Sequence, residues 1–507
     1  MKATKVWIRV LSLVLILCMT AAAFASCASD DDKSKSTAEN TKAEEGTGVP
    51  TDEDGFVLDN LPDDLNFNRE MKILYSDYLE KESVSNEKEA EGNVVQNAIY
   101  NRWQTVQDRL NVEITWIPLP GKWDGSKDNF IKDVETKSTT GDAYDAVLSY
   151  NLFPGALAHK GLVENLYGTE YIDLTAPWWP SAFIEESVLN NTIYGVVENS
   201  SHAVLCNLHG VFFNNQLLED YKLESPYDMV ANNTWTFDNM MAMIKDVGAD
   251  ENNNSKKDYG DFYGLVTGTE AKIETWFFAM GYRYSQKNAN GELELLMSDA
   301  ETMVKWIDRF NMAFDSKDAW LFDRDENNKG SHTKSFFANK AILYMTSIQL
   351  VDSYIAKEID IDFGVVPVPK GSEKQERYIS NVANHHDIWS IPINTQSFTE
   401  STALVECMAS ESYRQVAPVY FDTCVKLRYA PDERLYDMYD LIRDSITFDF
   451  FQTYTFVLDS YALNPRSLIT QCVTDKTGQR VQWGSQWAQY EANINSAFND
   501  ILALYEN

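Results

Sequence analysis

Residues 71–119 read MKILYSDYLEKESVSNEKEAEGNVVQNAIYNRWQTVQDRLNVEITWIPL. The run MKILYSDY at 71–78 is apolar and ends in polar and aromatic residues, the pattern of a buried strand arriving at a sheet edge. From Gly92 onward, Val94, Val95, Ala98, Ile99, Val106 and Leu110 recur at helical spacing, so this segment is predicted to be an amphipathic helix. Trp103 lies on the same face and reads as core. VEITWIPL at 112–119 is the next strand, 128–138 a second helix, and YDAVLSY at 144–150 a third strand. Strand, helix, strand, helix, strand is the signature of a parallel sheet covered by helices.

Outward from that stretch, the pattern breaks near His202. AVLCNLHGVFFNN at 203–215 is strand-like and LLEDYKL starts a helix. Thr236 is a candidate N-cap for a helix carrying Met240, Met241 and Ile244. Further helices are expected at 273–280, 300–315 and 333–339, and further strands at 341–346 and 363–370. DIWSIPI at 387–393 reads as a strand returning to the first sheet, and the remainder as mainly helical. The chain beyond the N-terminal segments exceeds 400 residues, too long for one hydrophobic core, so at least two α/β lobes are expected.

The chain carries 43 Lys and Arg against 77 Asp and Glu, a net charge of −34. Such a balance opposes binding to nucleic acid or to anionic lipid surfaces. The first 26 residues hold three charges, Lys2, Lys5 and Arg9, then an apolar run at 10–19 and the small-residue stretch TAAAFAS. That is the order of a secretory signal peptide, and the run is shorter than the roughly 20 apolar residues a spanning helix needs. Residues 28–54, ASDDDKSKSTAENTKAEEGTGVPTDED, have one valine and no aromatic residue, so residues 27–54 are expected to form a flexible tether. Phe24-Ala25-Ser26-Cys27 resembles a bacterial lipobox, which makes Cys27 the lipidated N-terminus of the mature chain. Cys206, Cys407, Cys424 and Cys472 show no zinc spacing; an exported location permits disulfides between them, and four buried thiols is the preferred reading.

Five segments, in order, resemble the extracellular solute-binding lipoproteins of ABC importers, carbohydrate type (family 1-like). They are 73–77 with its following helix and strand, GDAYDAVLSYN with KGLVENLYGTEYIDLTAPWW, VFFNNQLLEDYKLESPYDMVANNTWTFDNM, FFANKAILYM, and FGVVPVPK. The resemblance implies a two-lobed α/β fold of the periplasmic-binding-protein type, with crossover strands at a hinge and a ligand cleft between the lobes. On this reading 55–200 is the first lobe, 201–350 the second, and 351–507 returns to the first. The implied partners are a carbohydrate ligand and ABC permease subunits, with no nucleic acid and no cofactor. The implied location is the outer face of the cytoplasmic membrane, held there by the lipid, for a monomer in a Gram-positive bacterium.

In parallel α/β lobes, ligands sit at the carboxyl ends of strands. That rule picks out Ser76, Asp77 and Tyr78, Tyr150 with Asn151, and in the second lobe Trp276 and Tyr344 with Met345; Trp389 is a further candidate. Trp178 and Trp179 are adjacent and read as structural. His385 and His386 beside Asp387 lack the further ligands a metal would need and read as a surface or strand-edge pair. Asp250, Asn252, Asn254, Asp258 and Asp261 occupy places 1, 3, 5, 9 and 12 of a calcium-type loop, with Ser255 where glycine is usual. A solvated acidic loop is the competing reading. The rival function is an anchored glycoside hydrolase, for which 77 acids allow many carboxylate pairs; a binder that feeds a sensor is another.

Overall fold

Strand β1 (Arg69–Ser76) is buried from Met71 onward, apart from a half-buried Lys72, as befits a strand covered on both faces. The computed structural model describes residues 50–79, 83–198, 201–322, 331–350, 361–382, 385–421, 433–458, 463–474 and 480–506. The leader, Cys27, the tether up to residue 49, and Cys424 lie outside them. Helix α1 (Val94–Leu110) starts at Asn93, whose side chain accepts the backbone N–H groups of Val95 and Gln96. It ends at Asn111, in the left-handed conformation at φ +48°, and buries Ala98, Ile99, Arg102, Val106 and Leu110. Strand β2 (Val112–Leu119) pairs in parallel with β1, Arg69 opposite Val112.

Helix α2 (Ser126–Thr140) ends on Gly141 at φ +79° and leads to β3 (Ala146–Tyr150), parallel to β1 on its other side. Helix α3 (Phe153–His159) follows. The first sheet is completed by a late strand, residues Asp387–Ser390, antiparallel to β3. The expected return of 387–393 to the first sheet is therefore observed.

The second sheet holds β4 (His209–Asn214), β5 (Tyr263–Gly268), β6 (Ala319–Phe322), β7 (Ala341–Ser347) and β8 (Phe363–Pro367), in the order β8-β4-β7-β5-β6. The late strand of the first sheet is β9. Residues 203–206, expected as strand, belong to the short helix His202–Cys206, capped by Ser201. β5 and β6 were not legible in the sequence: YGLVTG and AWLF are short, with no alternation for a period to register. Helices α4 (Ala271–Ala279) and α5 (Ala300–Asp315) follow β5, and Thr236 caps the helix Phe237–Met243 by accepting from Asn239 N–H.

The expected lobe edge at 350 falls between two strands of one sheet, because β8 pairs antiparallel with β4. The chain returns only after Lys370, whose backbone is bonded to Trp235 and Phe237. Beyond β9, helix α6 (Phe398–Glu411) is buried from Ser401 to its end and packs on α1. The later helices do not all rejoin the first lobe. Helix α7 (Glu433–Asp444) lies on β8, and α8 (Pro465–Val473) packs on α4 and α5. The turn at Thr455–Leu458 packs on α3 of the first lobe. Residues 433–458 and 463–473 thus lean on both lobes.

Trp178 and Trp179 are buried, and both indoles donate to one carboxylate, Glu406, at 3.1 and 3.2 Å. Burial pushes that carboxyl up to about 8. Cys206, Cys407 and Cys472 are buried free thiols.

Candidate functional site

The carboxyl edge of the first sheet is assembled from three consecutive strand ends. Ser76 closes β1, and its hydroxyl donates to the carbonyl of Gly121 just past β2. A side chain at Gly121 would meet Ser76 Oγ at 2.9 Å and Phe130 at 3.0 Å, so only glycine lets the two strand ends approach. Lys122 then stands 5.9 Å from the centre of the Tyr78 ring, and Trp123 is 54% exposed, alone among the described tryptophans. Tyr78 is 37% exposed and lies edge-on to Tyr150 at 5.9 Å and to His385 at 5.4 Å. Its hydroxyl is 3.4 Å from His385 Nε2. Tyr150 is buried, stacked on Phe456 at 6.4 Å. Asn151 N–H donates to the His386 carbonyl at 3.0 Å, and Asp77 is exposed at the start of a 3₁₀ turn.

The second lobe brings its own polar groups to this region. The Asn207 amide donates to the His385 carbonyl at 2.7 Å, tying the approach to β4 to the approach to β9. His209 opens β4, and the Lys272 ammonium lies 2.8 Å from its Nε2. Burial first, then the charges of Lys272 and His385, hold the His209 imidazole well below its ordinary value. The neutral ring therefore accepts and the ammonium donates. Glu270, exposed between β5 and α4, adopts φ +59° and ψ −114°, a strained backbone for a residue with a side chain. One turn on, buried Glu274 accepts from Tyr284 Oη at 2.8 Å, Gln452 Nε2 at 3.0 Å and Arg466 Nε at 2.9 Å. Gln452 in turn accepts from the Asn381 amide at 3.1 Å. This network joins α4, the return connector and the C-terminal region.

No family profile and no curated sequence matches the chain. Solved structures do. The GacH receptor of Streptomyces glaucescens, solved unliganded and with acarbose, superposes with a TM-score of 0.52 at 13% identity, covering 85% of this chain and 99% of that one. An ABC substrate-binding protein of Listeria monocytogenes in complex with cycloalternan gives 0.51 at 13%, over 85% and 99%. The apo form of RafE from Streptococcus pneumoniae gives 0.51 at 16%, over 85% and 98%. The chain has the two-lobed fold of these solute-binding proteins.

Within that fold, Ser76, Asp77, Tyr78, Tyr150 and Asn151 converge at the carboxyl edge of the first sheet. The other candidates do not join them. Trp276 is fully buried on the inner face of α4, 5.5 Å from Phe237 and 6.4 Å from Phe314. Tyr344 is buried with its hydroxyl 2.8 Å from Thr333 Oγ1, and Met345 faces the core, because β7 runs on to Ser347 and neither residue is at its end. Trp389 is buried beside Trp116, its indole bonded to Glu198. β9 is antiparallel, so its amino end, not its carboxyl end, meets the edge where Tyr78 and Tyr150 stand; that end carries His385. His386 is buried against Phe448. Sequence reasoning passed over Lys122 and Trp123, although the rule that chose Tyr78 applies equally to the end of β2. His209 and Lys272 had no local signal, and the sequence marks His385 only as a surface or strand-edge residue.

In the loop at 250–261, the donors are turned on one another. The Asn252 and Asn254 amides donate to the two carboxylate oxygens of Asp258, at 2.9 and 2.6 Å. Asp250 accepts the backbone N–H groups of Asn254 and Ser255, with Ser255 at φ +58°. Asp261 is buried; one of its oxygens takes Asp258 N–H and the Tyr263 hydroxyl, and the other has no hydrogen-bond partner. Among the described residues, no group of three or more His, Cys, Asp or Glu side chains is placed to hold a metal ion.

Proposed function

We propose that this chain is the substrate-capturing component of an ABC importer, which binds a sugar or oligosaccharide between its lobes and hands it to a permease. The carrying observation is the pair of exposed aromatic side chains, Tyr78 and Trp123, with Lys122 beside them at the carboxyl edge of the first sheet. A pyranose presents a patch of C–H groups that packs on such rings, while its hydroxyls need fixed polar partners. Lys122 and Lys272, both only partly buried, are of that kind. Ligand closes the lobes by favouring the closed population over the open one. The protein is a binder rather than an enzyme in this reading, and the likeness to the acarbose and cycloalternan binders supports it at the level of fold.

The lipobox-like segment adds an anchor. Diacylglycerol on Cys27 would retain the protein at the outer face of the cytoplasmic membrane of a Gram-positive cell, since more than one acyl chain is needed for stable attachment. The test is calorimetric titration of mono- and oligosaccharides into the purified protein, with Trp123→Ala as the paired variant. A sugar that binds the parent and is at least tenfold weaker with the variant is expected. Failure of every sugar to bind would sink the reading.

A further inference from the structure

A groove of about 590 Å³ runs between α2 and α3 and ends at the turn carrying Phe456 and Val457. It is lined by the apolar residues Ile131, Ala156 and Phe456 and by Lys127, Lys132, Lys160 and His159. Two acids, Asp128 and Glu135, also line it. Three lysines and a histidine against two acids invert the balance of a chain with 77 acidic and 43 basic residues. The acids do little to quench them. Asp128 reaches Lys127 at 3.7 Å, but its side chain is 83% exposed, where ion pairing is weak. Among the described residues, Lys132 and Lys160 make no ion pair.

The groove is also connected to the candidate site. Lys127 Nζ stands 5.1 Å over the Phe456 ring, Phe456 stacks on Tyr150, and Tyr150 meets Tyr78 edge-on. Three packed rings, the middle one buried, therefore stand between the exposed Tyr78 and the basic groove. Lys127 N–H is bonded to the Asp124 carbonyl, so the groove begins where the Trp123 loop ends. The volume lies in the range of small-ligand pockets, roughly 300–1,000 Å³, and a concave slot of that size suits one or two sugar units better than a protein surface.

We infer that this groove receives an anionic substituent, a carboxylate or a sulfate, on an oligosaccharide whose neutral part lies at Tyr78 and Trp123. The inference rests on the proposed sugar-binding function and adds a ligand class to it. The lysines take the charge as point donors that tolerate either anion geometry.

The test compares matched trisaccharides by calorimetry on the full chain in detergent. Trigalacturonic acid is set against its neutral galactose counterpart, and a sulfated galactan trisaccharide against its unsulfated form, at 20 and 300 mM NaCl. At least one anionic member is expected to bind tenfold or more tightly than its neutral partner, with the preference shrinking in high salt. The Lys132→Gln, Lys160→Gln double variant is expected to lose that preference. Equal affinity within both pairs, or an unchanged preference in the double variant, would overturn the inference and leave sugar capture standing. Binding of no member of either pair by the parent, with no other sugar bound, would overturn both. The two pairs separate the carboxylate from the sulfate.

Discussion

The rings of Tyr150 and Phe456 stack with centroids 6.4 Å apart and 28° between their planes. Tyr150 ends a strand of the first sheet, and Phe456 belongs to the C-terminal region that also packs on the second lobe. Their contact makes that region a wall of the candidate site rather than an appendage. Its stability therefore bears on binding.

Trp123 is exposed and Tyr78 presents about a third of its surface, 37%, while its ring also meets Tyr150 and His385, so truncation should change binding more than it changes the fold. Trp123→Ala and Tyr78→Ala are each expected to weaken sugar affinity by about 10- to 100-fold, or roughly 1.4–2.8 kcal/mol. Melting temperature should stay within a degree or two. Calorimetry and a thermal melt on the same preparations check both halves.

Gly155 lies on α3 where a Cβ would sit 2.8 Å from the Thr453 carbonyl oxygen and 3.0 Å from Tyr454 Cα. The obstacle is backbone, which cannot swing away. Gly155→Ala should cost about 1–3 kcal/mol and loosen the contact between α3 and the C-terminal turn. Urea unfolding reads the loss; a midpoint equal to the parent's would refute it.

Arg466 and Glu274 form a buried pair, with Gln452 and Tyr284 completing the carboxylate's partners. Removing the cation leaves a buried charge uncompensated. Arg466→Met is expected to destabilise by about 3–5 kcal/mol, and Arg466→Met combined with Glu274→Leu to recover part of that. A double variant no more stable than the single would contradict the pairing.

Two carboxyls make the fold sensitive to alkali within the mild range. Burial raises Asp387 to about 7 and Glu406 to about 8. Their folded values exceed their unfolded ones, so the stability they contribute is full below about pH 4 and is lost as pH rises through 7 and 8. On the acid side, Asp59 is held at about 2: burial opposes this, but Arg109, Ser410 and Arg414 outweigh it. Its contribution is present above about pH 4 and lost as pH falls toward 2. The melting temperature should therefore peak in mild acid and fall between pH 6 and 8. Glu406→Gln should flatten the fall, since the amide still accepts an indole N–H and does not ionise. A profile that rises from pH 5 to 8 would contradict the assignment.

Cys27→Ala should release the protein into the medium of a Gram-positive host, whereas the parent stays with the membrane fraction. Equal partition of the two would remove the anchor from the proposed function.

Local periodicity and capping chemistry determined much of this protein. The β1–α1–β2 unit follows from residues two, three and four apart along the chain, and Asn93 and Thr236 mark helix starts by reaching N–H groups two or three residues on. The two-sheet division and the place of Tyr78 just past a strand's carboxyl end follow from the same order of elements. Tertiary structure decided the rest, because strand direction and lobe contact depend on partners far away in sequence. The antiparallel run of β9 buries Trp389 and delivers His385 to the site. Pairing of β8 with β4 moves the lobe edge past Lys370. The Lys272–His209 contact and the ring run from Tyr78 through Tyr150 to Phe456 join residues 63 or more positions apart, and no local pattern encodes such distances.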